Sequence, residues 1–197
     1  MAVKYIKQST REIVKSAFIY PAGRSLTDQK NIILEIGPGR GDFLFHLCEK
    51  NPEAMVVAIE IKRKRVDRII ARAEKRGTKN LIIIQNDARA ALPELFSENQ
   101  ASEIHIQFPD PWPKKRHAKN RPVSKSLLLE CKRILAPKCS LFFVTDSENY
   151  AEEVKRAACV LEGFSCSPSP KDIFPTLFAM KWREMGKKFH AFRFEKE

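Results

Sequence analysis

The chain has no apolar run approaching the roughly eighteen residues that cross a bilayer, no internal repeat and no low-complexity linker. A membrane partner and a repeat architecture are therefore not expected. Its five cysteines, Cys48, Cys131, Cys139, Cys159 and Cys166, include no Cys-x-x-Cys pair. Its four histidines, His46, His105, His117 and His190, have no metal-ligand spacing. No metal site is expected, and the thiols read as reduced and mostly packed. The first residues carry charge without a following apolar stretch or small-residue cleavage pattern, so cytoplasmic residence is expected. Acid is also scarce: 24 Asp and Glu face 36 Lys and Arg, a formal charge of +12 that favours a polyanionic partner. Core-forming residues are plentiful, with 43% hydrophobic residues and 13 Phe in 197, enough for one domain spanning 1–197.

Apolar runs and helical patterns alternate five times. The runs Ile32–Ile36, Met55–Glu60, Leu81–Gln85, Glu103–Phe108 and Ser140–Thr145 read as strands. Between and after them, Asp42–Lys50, Lys62–Arg76, Ala88–Phe96, Val123–Leu135 and Glu148–Glu162 read as helices. Gly77 supplies a stop and Pro93 a bend. Continuous apolar strands separated by helices predict a mostly parallel sheet covered on both faces. Residues 1–30, with Pro21, Gly23 and Arg24, read as a coil or turn in a basic extension that is flexible or touches substrate through Lys4, Lys7, Arg11 and Arg24. After Phe164 the pattern changes. Ser167 to Pro170 reads as a loop, and Thr176 to Phe194 as one or two antiparallel edge strands or a hairpin.

In such a sheet, ligands bind beyond the carboxyl ends of the strands, where the polar residues here collect. After the first run come Glu35, Gly37, Gly39 and Gly41, a turn whose glycines admit a tight backbone and a close ligand. Asp42 stands where a dinucleotide fingerprint wants a further glycine, and an acid at a helix start repels a pyrophosphate. S-adenosylmethionine has no pyrophosphate and carries a sulfonium and an ammonium, so it suits this turn. Glu60 ends the second strand 21 residues after Gly39, where a carboxylate accepts from a ribose diol. Asp87 follows the third strand and suits the adenine amine, with Asn86 and Ala88 beside it as cofactor-binding candidates.

The fourth run delivers the chain into Phe108-Pro109-Asp110-Pro111-Trp112-Pro113, followed by Lys114, Lys115, Arg116, Lys119 and Arg121. Two prolines restrain the backbone around Asp110. Trp112 is suited to stacking on a base or packing at the sheet edge, with packing favoured, and the cations are suited to phosphate.

These segments together resemble the tRNA guanine-N7 methyltransferases. The resemblance runs from Leu34–Gly41 through Glu60, Asn86–Ala88, Phe108–His117 and Thr145–Asp146 to Pro175–Gly186, and the Phe-Pro-Asp-Pro-Trp run is its most specific part. It implies a class I methyltransferase (Rossmann-like) α/β fold, mostly parallel with an antiparallel C-terminal edge; no obligate protein partner is expected, and monomer and homodimer both stay open. It also implies methyl transfer from S-adenosylmethionine to N7 of guanine 46 in the variable loop of tRNA, with Asp110 catalytic and in contact with the cofactor. Substrate contacts then fall to Lys114, Asp146 and Thr176. Two departures stand out: Asn120 where a second cation is usual, and Ala179 where a glutamate follows Thr176 and Phe178, so that Glu184 or another acid would have to stand in. The competing expectations are a methyltransferase of another RNA and a non-catalytic RNA-binding protein that retains the fold.

Overall fold

The structure, a computed structural model, describes the backbone of residues 18–20 and residues 26, 29, 31–112, 116, 121–169 and 173–197. A short strand, β1 (Phe18–Tyr20), is followed by β2 (Ile32–Ile36), α1 (Asp42–Lys50), β3 (Met55–Glu60), α2 (Arg63–Arg76) and β4 (Leu81–Gln85). The chain continues through α3 (Ala88–Leu95), β5 (Ala101–Gln107), α4 (Lys125–Ile134), β6 (Leu135–Thr145) and α5 (Glu148–Cys159), then β7 (Phe164–Pro168), α6 (Leu177–Glu184) and β8 (His190–Lys196). All eight strands form one sheet in the order β1-β4-β3-β2-β5-β6-β8-β7. The five inner strands are parallel, while β1 runs antiparallel to β4, and β8 antiparallel to both β6 and β7.

Strand alternation sends side chains to two cores. Ile33, Val56, Ala58 and Ile83 pack beneath α1 and α2, whose Leu44, Val66 and Ile69 are fully buried. Leu34, Val57, Ile82, Ile104 and Phe143 face the other way and meet α3, α4 and α5 through Leu92, Leu128 and Tyr150. Each buried Val, Leu, Ile or Phe among them contributes about 1.5–3 kcal/mol. In α2 the apolar residues recur at helical spacing, and its last turn closes on Gly77 at φ 64°, where the left-handed backbone suits glycine.

Several boundaries differ from the sequence reading for local reasons. Pro93 lies within α3 and leaves the Arg89 carbonyl without its helical donor, and the helix ends two residues later at Leu95. Strand β6 begins at Leu135, and Pro137 falls inside it because the pairing with β5 shifts between Ala101 and Glu103, with Lys138 at φ 62°. Ser167 and Pro168 end edge strand β7, where a proline costs no ladder bond on its open side. Helix α5 stops at Cys159, and β1 lies in the stretch read as coil. Helix α6 departs from the expected edge strand or hairpin, because Thr176 caps a helical turn there, and only β8 fits that expectation. Pro21, Gly23, Arg24 and the basic residues before them lie outside the described residues.

Candidate active site

Four consecutive parallel strands end at one cavity of about 620 Å³. Its lining includes Gly37, Glu60, Asn86, Asp87 and Ala88 from the ends of β2, β3 and β4, and Phe108, Pro109, Asp110, Asp146, Phe178 and Trp182 from the other elements; Glu35, Gly39 and Gly41 do not line it. Register explains the convergence, because β2 pairs with both β3 and β5, so the polar residues after each strand reach the same edge.

The glycine turn divides by function. Gly37 and Gly39 adopt φ 75° and 59°, and a Cβ on either would meet nothing within 4 Å; of the two, Gly37 lines the cavity. Gly41 is different: at φ 81°, its added Cβ would lie 3.2 Å from Ile69 and 3.3 Å from Phe45, so it serves helix packing, not ligand approach. Asp42, at the start of α1, pairs with Arg72 at 3.2 Å.

Glu35 sits beneath the turn, 2% exposed, with Oε2 unpartnered. Burial first, then Asp42 and Glu60, push its carboxyl up to about 8. A buried acid of this kind is stabilised by a cationic ligand. Glu60 is as deeply buried, but its Oε1 accepts from the Lys62 amide at 2.8 Å and its Oε2 from Arg65 at 3.3 Å. Asp87 caps α3 through the Arg89 amide and grips the Arg89 guanidinium at 3.0 and 3.1 Å. That side-chain hydrogen bond holds its carboxyl below the usual range. Asn86 accepts from the Asp87 amide while its Nδ2 has no partner. Gln107, which sequence reasoning missed, also carries an unpartnered amide at the end of β5.

At the other end, the backbone around Asp110 is strained: Phe108 has φ 48° and Trp112 φ 42°, costly for bulky residues. Between them, Asp110 Oδ1 accepts from the Trp112 amide at 3.3 Å. Trp112 belongs to the cavity wall. Arg121, expected to meet phosphate, is instead turned inward. It donates to the Pro111 carbonyl at 2.8 Å, pairs with Glu153 and lies over the Tyr150 ring at 5.0 Å, so its charge serves to anchor the loop. Arg116 is exposed; Lys114, Lys115, Lys119, His117 and Asn120 lie outside the described residues.

Thr176 caps α6, accepting from the Ala179 amide at 3.0 Å, and so holds the helix that carries Phe178 and Trp182. Ala179 is fully buried. Glu184 is exposed and does not line the cavity; Asp146 does. His105 is packed between Phe43 and Phe142 and contacts Glu103 at 2.9 Å, a structural role. Among the described residues no group of His, Cys, Asp and Glu could hold a metal ion, and no helix is long and apolar enough to cross a membrane.

A family model described as "Putative methyltransferase" matches residues 29–190. The chain belongs to that family. The tRNA (guanine-N(7)-)-methyltransferase of Brevibacillus brevis is 40% identical over 121 residues, 61% of this chain and 56% of that one. Its counterpart in Thermotoga maritima is 34% identical over 166 residues, 80% of this chain and 51% of that one. This methyltransferase chain thus spans about half the length of both curated relatives. Among solved structures, TrmN from Thermus thermophilus superposes with a TM-score of 0.63 at 18% identity, covering 86% of this chain and 45% of that one. The fold is that of class I methyltransferases, a Rossmann-like sheet with flanking helices.

Proposed function

We propose that this protein transfers a methyl group from S-adenosylmethionine to N7 of guanine in tRNA, at variable-loop position 46. The observation that carries the reading is one cavity bounded by Glu60, Asn86 and Asp87 at one end and by Asp110, Asp146 and an aromatic wall at the other. The family match and the two tRNA-modifying relatives support it.

The residues fit the methyl donor. Glu35 is a buried, unpartnered acceptor, Asn86 a buried, unpartnered donor, and the open side of Gly37 and Gly39 gives a ligand room to approach. When bound, S-adenosylmethionine supplies an electrophilic methyl group on a positively charged sulfur. Glu35 faces positive charge, Glu60 accepts from a ribose diol, and Asn86 with Asp87 and Ala88 borders the adenine. Asp87, committed to Arg89 and the α3 cap, shapes this end while Asn86 has donor capacity to spare.

Guanine N7 has a lone pair and needs no base to deprotonate it. The protein's contribution is therefore positioning, together with negative charge where positive charge develops on the purine. Asp110, held by its strained turn, supplies that charge beside the reacting atoms. Asp146 accepts from guanine N1–H or the 2-amine. Thr176 acts by fixing α6, and Lys114, Lys115, Arg116 and Lys119 guide phosphates toward the cavity. A tRNA substrate goes with a cytoplasmic location.

Incubation with radiolabelled S-adenosylmethionine and unmodified total tRNA, followed by nucleoside analysis, tests the reading. Label in 7-methylguanosine is expected. Label in a different nucleoside, in ribosomal RNA alone, or nowhere would overturn it.

A further inference from the structure

One polar group in the acceptor end of the cavity has no role so far. Trp182 lines the cavity from α6, and its indole Nε1 is shielded from solvent and has no hydrogen-bond partner. An indole N–H only donates, and a buried donor left unpaired is destabilising. The ring itself is well supported. Phe178 meets it edge-on at 5.3 Å and 80°, Phe178 packs on Phe108 at 4.9 Å, and Lys187 lies 5.8 Å above the indole. Packing therefore accounts for the aromatic body of Trp182 but not for its N–H.

The chemistry around it specifies the complement. Asp110 and Asp146, which line the same cavity, only accept when ionised. The cavity's arginines have other partners: Arg65 holds Glu60 and Arg89 holds Asp87. A base that fits two acceptors and one donor presents N–H groups together with a carbonyl oxygen. Guanine does so through N1–H, the 2-amine and O6. Adenine places an amine where guanine has O6, which would set N–H against N–H.

We propose that the Trp182 indole N–H donates to O6 of the acceptor guanine and makes the site select 6-oxopurines over 6-aminopurines. This rests on the guanine-N7 reading above and names a specificity residue within it. O6 neighbours N7 on the same edge of the base, so the bond also orients the nucleophile toward the methyl donor.

The test pairs Trp182→Phe with three tRNA transcripts that carry guanosine, inosine or 2-aminopurine riboside at the acceptor position. Methyl transfer is measured as kcat/KM and thermal unfolding is followed in parallel. Phenylalanine keeps an aromatic wall and removes the donor. The variant is expected to lose roughly tenfold on guanosine and inosine, which keep O6, and nothing further on 2-aminopurine riboside, which lacks it. Its melting temperature is expected to match or exceed that of the parent, because an unpaired buried donor is gone. An equal loss on all three acceptors, or no loss on guanosine, overturns the proposal. If the parent protein methylates no tRNA guanine at all, the underlying reading fails before the variant is compared.

Discussion

Glu35 concentrates the electrostatics of the site in one side chain. Its folded pKa, raised to about 8, lies above the ordinary carboxylate value, so the ligand-free protein holds a proton there at neutral pH. A group shifted upward contributes stability that is complete below its unfolded pKa and lost as pH rises through the folded value. The ligand-free protein should therefore weaken between about pH 5 and pH 9 through this group, by on the order of 5 kcal/mol. Glu35→Gln should flatten that decline in thermal unfolding followed against pH, while weakening S-adenosylmethionine binding in calorimetry. Unaltered pH dependence would remove Glu35 as its source. For Asp110, replacement with Asn keeps size and removes charge. Methyl transfer should fall by about a hundredfold while tRNA affinity stays within about twofold. Parallel losses in a filter-binding assay and in kcat would show that Asp110 serves binding, not the transfer step.

At the scale of elements, the turn between β2 and α1 does two jobs with similar glycines. Gly41→Ala combines a left-handed backbone with contacts to Ile69 and Phe45, and denaturant unfolding should show a loss of about 2 kcal/mol. Gly37→Ala meets no protein atom, so its stability cost should be smaller, while its methyl enters the space beside the cavity and should reduce cofactor affinity more than Gly41→Ala does. The reverse ranking in paired unfolding and binding experiments would refute this division. The loop after β5 also divides. Its Asp110 half is strained toward the cavity, and its far end is tied down by Arg121 through Pro111 and Glu153. Sequence spacing showed a strip of positive charge but not that one member pairs internally, because Glu153 lies 32 residues away on another helix.

For the whole molecule, the net charge of +12 means that the tRNA binding of the proposed function should weaken steeply with salt. Lys114→Ala should lower the slope of log affinity against log salt by about one if it meets a phosphate; an unchanged slope excludes that contact. The five parallel strands and their helices were legible from residues 31 to 162, since apolar runs and helical spacing are local patterns with strong periods. The acids after successive strands were legible as well, because β2, β3, β4 and β5 lie side by side and end on one edge. The chain's order of residues thus determined the layers, the polar rim and the proline-restrained turn. Only tertiary structure decided that Gly41 packs against α2, that Arg121 turns inward, and that an unexpected α6 brings Trp182 to the cavity. Those outcomes depend on contacts between segments far apart in sequence, which no local spacing encodes.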